Sequence, residues 1–316
     1  MADRVTLCEC FARDGLQHEP DFVPTATKVS TVEAFVAAGF RRIEATSYSH
    51  PDRVPAFRDA SEVLAGVPRR AGVAYKATCP NPRAVHRALA DLDAGRGADE
   101  LSLLVSATES HTERNLRTTR DRQWHNVAEM VRLADGRFTL VGVLSVALGC
   151  PFEGPVDQGR VAEDFGRFAD LGVSLVTVGD TTGLGTPITA GRLFARLAAE
   201  YPHVPAVAHF HNTRGTALAN CVAALDAGCR YFDSAFGGVG GHPAGITYGG
   251  GLTGNTCTED LVNLFEAMGV STGLDLDLVL AASARCEEAL GRPLHSTVAR
   301  AGFGLPGRAV PAGTGQ

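Results

Sequence analysis

Eight short runs rich in β-branched and apolar residues recur along the chain, at 4–10, 41–47, 71–78, 100–106, 138–146, 173–179, 204–211 and 229–236. Stretches with helical spacing separate them, at 25–38, 53–66, 82–94, 113–134, 157–170, 188–200 and 214–227. This alternation constrains the fold more than any other feature, because a strand that returns through a helix pairs parallel with its predecessor. Eight such units predict an α/β fold closed as a (β/α)8 barrel of the TIM type rather than an open doubly wound sheet. An open dinucleotide-binding sheet would carry G-x-G-x-x-G after its first strand, and the sequence has none there. Two more helical patterns, 258–268 and 276–290, read as the last barrel helix and a short C-terminal helical extension. Gly39, Gly172 and Gly228 stand just past helical stretches, where a left-handed residue stops a helix. No linker divides the chain. The expectation is one catalytic domain over 1–302, followed by a flexible Gly- and Pro-rich tail, 303–316.

Of the 316 residues, 45% are hydrophobic, which suits a large core and excludes a disordered chain. The formal net charge of −6, without a basic run, argues against a nucleic-acid partner. No apolar stretch reaches the roughly 18–20 residues needed to cross a bilayer, so no membrane partner is expected. The eight cysteines include no C-x-x-C pair, and the opening MADRVTLCEC lacks the marks of a signal peptide. A cytoplasmic protein with reduced thiols is expected.

Barrel enzymes carry their chemistry at the C-terminal ends of the strands. Arg13, Asp14 and Gln17 follow the first run. Glu44 and Ser47 close the second, Asp180 the sixth, and His209 and His211 the seventh. His242 and Asn255 follow the eighth, in and beyond a loop rich in glycine. His209 and His211 are two apart on a strand and face the same side. Two imidazoles and a carboxylate such as Asp14 suit a divalent cation, although an H-x-H pair also occurs as a structural element. Arg13 and Asp14 could equally be a surface ion pair, Glu44 an exposed acid, and Asp180 a helix cap.

RDGLQHE (13–19) resembles the RDGLQNE signature of hydroxymethylglutaryl-CoA lyases. EATS (44–47), GCPFEG (149–154), GDTTGLGTP (179–187), HFHNTRG (209–215), GVGGHPAG (238–245) and TGNTCTEDLV (253–262) follow in the same order. The resemblance implies a divalent cation, Mg²⁺ or Mn²⁺, bound by Asp14, His209, His211 and Asn255. It implies that Arg13 stabilises an enolate and is oriented by Glu44, and that Asp180 takes part in proton transfer. Gln17, Glu44 and Ser47 would contact the substrate, and the protein would be a homodimer. One position departs from the pattern. Where the family's loop reads GxGGCP with a catalytic cysteine, this chain has His242, and the spacing to Asn255 is longer. A histidine can move protons near neutral pH.

The resulting expectation is a metal-dependent carbon–carbon lyase acting on a 3-hydroxy-3-methylglutaryl-CoA-like 3-hydroxyacyl-CoA and releasing an acyl-CoA and a keto acid. Arg13, Asp180 and His242 would be its catalytic groups. Two alternatives stand beside it: a synthase or aldolase that condenses an acyl-CoA with a keto acid, and a metal-binding barrel without catalysis.

Overall fold

The computed structural model describes residues 3–241 and 254–305. Eight parallel strands close into one barrel in chain order. They are β1 (Thr6–Glu9), β2 (Arg42–Ser47), β3 (Ala74–Cys79), β4 (Glu100–Ser106), β5 (Thr139–Ser145), β6 (Leu175–Asp180), β7 (Ala206–Phe210) and β8 (Tyr231–Ser234). The barrel is sealed by β8 pairing with β1 from Thr6 opposite Tyr231 to Glu9 opposite Ser234. The helices between them are α1 (Thr25–Ala38), α2 (Ala60–Gly66), α3 (Pro82–Asp93), α4 (Glu109–Leu116), α5 (Arg120–Ala134), α6 (Gln158–Asp170), α7 (Pro187–Glu200) and α8 (Ala217–Asp226). After β8 come α9 (Thr258–Ala267), α10 (Leu276–Leu290) and α11 (Val298–Ala301).

The helix starts are written in the sequence. Asn81 accepts from Ala84 N ahead of Pro82 on α3, and Thr186 forms a reciprocal cap with Thr189 ahead of Pro187 on α7. The expected helix 113–134 is in fact two. Arg117 ends α4 in a left-handed conformation, and the Thr119 side chain caps α5 by accepting from Arg122 N. Likewise 53–66 divides into a 3-10 turn, Pro55–Phe57, and α2.

The apolar core lies between sheet and helices, where Phe35, Phe165, Phe168, Phe210, Phe232 and Phe265 are buried. Each such side chain contributes about 1.5–3 kcal/mol of burial. Inside the barrel the only separate apolar cluster among the described residues is Val141, Leu175 and Val207, with Tyr231 against it; they plug its N-terminal end. Nearby, Arg42 and Glu100 form a bidentate pair with Nη2 2.7 Å from Oε2. The extension covers the first unit. α10 packs on α1, Asp275 N donates to Ala38 O at 2.9 Å, and Val5 N donates to Ser271 O at 3.0 Å. Phe303, near the end of the described residues, is buried; the rest of the expected tail, from 306 on, lies outside them. No described helix is long and apolar enough to cross a membrane.

Candidate active site

The strands end at a cavity of about 820 Å³ in the mouth of the barrel. Beyond β1 the chain turns tightly, with the amides of Arg13 and Gly15 both donating to Cys10 O at 3.1 Å, and runs into a 3-10 turn, Gly15–His18. A Cβ on Gly15 would lie 2.7 Å from Val239 Cγ2, so the turn needs glycine to approach that loop. This places Arg13, Asp14 and Gln17 on the cavity wall.

Asn255 arrives from the other side. Residues 254–257 are stitched between the ends of β7 and β8: Asn212 N donates to Gly254 O at 2.8 Å, Thr256 N to Phe210 O at 2.9 Å, and Ala235 N to Thr256 O at 3.0 Å. His211 and Asn255 form a bridge across that seam.

Four side chains meet there. His209 Nε2 and His211 Nε2 are 3.2 Å apart. Asp14 Oδ2 lies 3.9 Å from the first and 3.7 Å from the second. Asn255 Nδ2 donates to Asp14 Oδ2 at 2.8 Å and to Val239 O at 3.0 Å, which fixes its amide orientation. Its Oδ1 is buried and has no partner among the described residues. Converging imidazole nitrogens, a carboxylate and an orphaned amide oxygen are the donor set of a divalent cation, and the residues fit one. Burial alone would raise the Asp14 carboxyl, but Arg13, His211 and His209 beside it hold it well below the usual carboxylate range, ready as an anionic ligand.

A buried ionic chain supports this cluster. The Nδ1 of His209 stands 3.3 Å from Asp233 Oδ2, which leaves Nε2 to face the cavity. Lys76 Nζ is 3.5 Å from the same carboxylate and 3.9 Å from Glu44. Burial would raise the Asp233 carboxyl, yet Lys76 and His209 hold it below the usual range. Burial would lower the Lys76 ammonium, yet Asp233 and Glu44 hold it up, so the pair is charged. Glu44 in turn accepts from Thr78 Oγ1 at 2.8 Å and faces Arg13 Nε at 3.0 Å. Arg13 Nη1 donates to Asp14 Oδ1 and to Gln17 Oε1, the latter at 3.3 Å. Nη2 has no partner among the described residues.

Residues 4–285 match the HMGL-like family model. The chain is 36% identical over 294 residues to hydroxymethylglutaryl-CoA lyase YngG of Bacillus subtilis, covering 93% of this chain and 95% of that one. The chain belongs to the HMGL-like family. This lyase-family chain is also 34% identical to the human mitochondrial hydroxymethylglutaryl-CoA lyase over 299 residues, 94% of this chain and 89% of the other. Among solved structures, an Acinetobacter baumannii HMG-CoA lyase in complex with coenzyme A and 3-methylmalate superposes with a TM-score of 0.89 at 35% identity, covering 98% of each chain. The carboxyl transferase domain of Rhizobium etli pyruvate carboxylase shares the fold, with a TM-score of 0.69 at 18% identity over 92% of this chain and 47% of that one. This family member is a carbon–carbon lyase of the hydroxymethylglutaryl-CoA lyase type.

Of the residues singled out in the sequence, Arg13, Asp14, Gln17, Glu44, His209 and His211 line the lyase's cavity together, and Asn255 joins them through Asp14. Two others face elsewhere. The Asp180 carboxylate accepts from Leu184 N at 3.0 Å and Gly185 N at 2.9 Å, pinning the turn before α7, and burial raises it above the usual range. Ser47 Oγ donates to Ser49 Oγ at 2.9 Å. Neither residue lines the cavity. His242 lies outside the described residues. Sequence reasoning missed Lys76 and Asp233. A signal was available for Lys76: it is the lone charge in the run 71–78, two positions from the cavity-lining Thr78.

Proposed function

We propose that this chain cleaves hydroxymethylglutaryl-CoA, or a 3-hydroxyacyl-CoA closely related to it, into an acyl-CoA and a keto acid. The observation that carries this reading is the meeting of Asp14, His209, His211 and Asn255 at the cavity mouth, with Arg13 and its free Nη2 beside them. The Acinetobacter neighbour holds coenzyme A and a small hydroxy acid in the same fold. The Bacillus and mammalian relatives are named as lyases, which favours cleavage over condensation and over a non-catalytic barrel.

A divalent cation held by those four residues, Mg²⁺ or Mn²⁺, would supply electrophilic polarisation of the substrate's oxygen atoms. The chain's own groups do the rest. Asp233 orients His209 through Nδ1, so the cation ligand is pre-set before substrate arrives. Glu44 and Asp14 hold the guanidinium of Arg13, leaving Nη2 to donate to the thioester oxygen. As the hydroxyl proton leaves and the C2–C3 bond breaks, the electron pair passes to that oxygen as an enolate, and Arg13 meets the charge where it develops. Protonation at C2 then completes the acyl-CoA. With Asp180 committed to two backbone amides outside the cavity, we assign proton transfer to His242. Gln17 steadies Arg13 from the other side. The resemblance further supports a homodimer.

The test is direct. Purified protein with Mg²⁺ or Mn²⁺ is incubated with hydroxymethylglutaryl-CoA and related 3-hydroxyacyl-CoAs, and products are read by mass spectrometry. An acyl-CoA and a keto acid in equal amounts support the reading; a cation-loaded protein that cleaves none of them refutes it.

A further inference from the structure

Cys8 and Cys10 take no part in the chemistry above, and they differ from most of the chain's other buried thiols. Cys79, Cys150, Cys221, Cys229 and Cys286 pack in the apolar core, whereas Cys8 and Cys10 do not. They alternate with Glu9, whose carboxylate accepts from the amides of Phe11 and Phe236 on the other side of the sheet. Both thiols therefore face the polar lumen. There Cys8 stands in register with Asp233 on β8 and with Arg42 on β2.

The two sulfurs are 4.0 Å apart. An oxygen of the Asp233 carboxylate lies within 4.8 Å of both. Cys8 and Cys10 are fully buried, and Asp233 is 2% exposed. These groups are loosely held. Cys10 Sγ reaches Cys8 O only at 3.6 Å, and Asp233 Oδ1 has no hydrogen-bond partner among the described residues. Burying a carboxylate oxygen without a partner is unfavourable, and a thiol is too weak a donor to satisfy it.

The spacing suits a shared ion. A tetrahedral centre with metal–sulfur bonds of about 2.3 Å holds its sulfurs about 3.8 Å apart. A disulfide would instead need them to close to about 2 Å. Charge also balances. Each thiol gives its proton to solvent as it ligates, so one dication replaces two protons and the net charge of the lumen is unchanged. Thiolates select soft cations such as Zn²⁺ or Cd²⁺, whereas carboxylate, amide oxygen and imidazole serve Mg²⁺ and Mn²⁺. Asp233 lines the cavity, so an ion entering at the mouth can reach it.

We propose that Cys8, Cys10 and Asp233 form a second metal site, for a thiophilic dication such as Zn²⁺ or Cd²⁺. It adjoins the first through Asp233, which stands 3.3 Å from His209 Nδ1. It does not depend on which thioester the chain cleaves.

The experiment titrates Cd²⁺ into the purified protein at saturating Mg²⁺. It reads the ultraviolet charge-transfer band of cadmium–thiolate bonds, which a cation on His209 and His211 cannot produce. The wild type should develop the band with a single equivalent of Cd²⁺ while its circular dichroism stays native. His209→Ala and Cys79→Ala should keep the band. The double variant Cys8→Val with Cys10→Val should lose it. Asp233→Asn should keep the band but require more Cd²⁺ to reach it. A wild type that shows no band, or shows one only as it unfolds, overturns the site without recourse to any variant. A band that survives in the folded double variant, or an Asp233→Asn titration that matches the wild type, overturns it as well.

Discussion

Replacing Asp233 by Asn removes one charge from the centre of the barrel while keeping the side chain's size. Asp233 is buried, faces His209 Nδ1 at 3.3 Å and Lys76 Nζ at 3.5 Å. Opposite charges at that separation attract by roughly 5 kcal/mol at an effective dielectric constant of about 20, and desolvation of both groups offsets part of it. Breaking a buried pair from one side costs about 3–5 kcal/mol, because the remaining charge is stranded. Glu44 still stands 3.9 Å from Lys76, so the loss should fall near the lower end, about 3 kcal/mol. A second effect is separable. The amide can turn its NH₂ towards His209 Nδ1 and shift the imidazole to the tautomer with a proton on Nε2, which blocks that nitrogen as a ligand. Cation affinity should fall by about 10–100-fold. Urea unfolding in the presence of a chelator reads the first effect, and calorimetric titration with Mn²⁺ reads the second. The sign with pH is fixed too. The folded carboxyl is depressed below its ordinary value of 3.8, so its stabilisation is full above that value and is lost as the pH falls through the folded pKa. The difference between wild type and Asp233→Asn should therefore persist at neutral pH and shrink in strong acid. An Asn variant that matches the wild type in both unfolding free energy and Mn²⁺ affinity would refute the role given to this carboxylate.

His209→Ala should lose most bound cation while staying folded, and a full metal equivalent by elemental analysis would remove His209 from the ligand set. Arg13→Met should lower kcat by about 10²–10³ with little change in KM; a rise in KM alone would make Arg13 a binding group. Glu9 is buried under the amides of Phe11 and Phe236 and the hydroxyl of Thr258, and burial pushes its carboxyl from 4.5 up to about 8. Its folded form holds a proton that the unfolded form releases, so stability should decline between those values as pH rises. Glu9→Gln should flatten that decline in pH-dependent urea midpoints, and an unchanged slope would count against it. All eight cysteines are free and buried, so iodoacetamide should leave activity intact; rapid inactivation of the native enzyme would contradict the assignment of proton transfer to His242.

The strand count, the barrel and the pairing of His209 with His211 were legible in the sequence because they rest on local rules. Alternation gives the units, and two-residue spacing puts His209 and His211 on one face. What was not legible depends on closure. Lys76 and Asp233 sit on β3 and β8, and only a closed barrel sets them 3.5 Å apart. Asp180 and Ser47 stand at strand ends, where one step in register decides between cavity and wall; the backbone amides of Leu184 and Gly185 claim Asp180. The break at Arg117 was hidden because its neighbours keep helical spacing, and Thr119 reads as a cap only once the chain is seen to stop.

The separation of the apolar layer from the polar lumen has a bearing on how this protein can change. Stability is vested outside the sheet, among the phenylalanines, and in a small plug of Val141, Leu175 and Val207 at one end. Nearer the mouth, the Lys76–Asp233 pair holds the lumen together, while the uncharged inward positions around it carry no ion pair. A lineage, or a directed-evolution library, could therefore rewrite Ser102, Val143 and Thr177 and explore new acyl groups while the scaffold holds its melting temperature. Selectivity and robustness are inherited on different residues, and drift in one need not be repaired in the other.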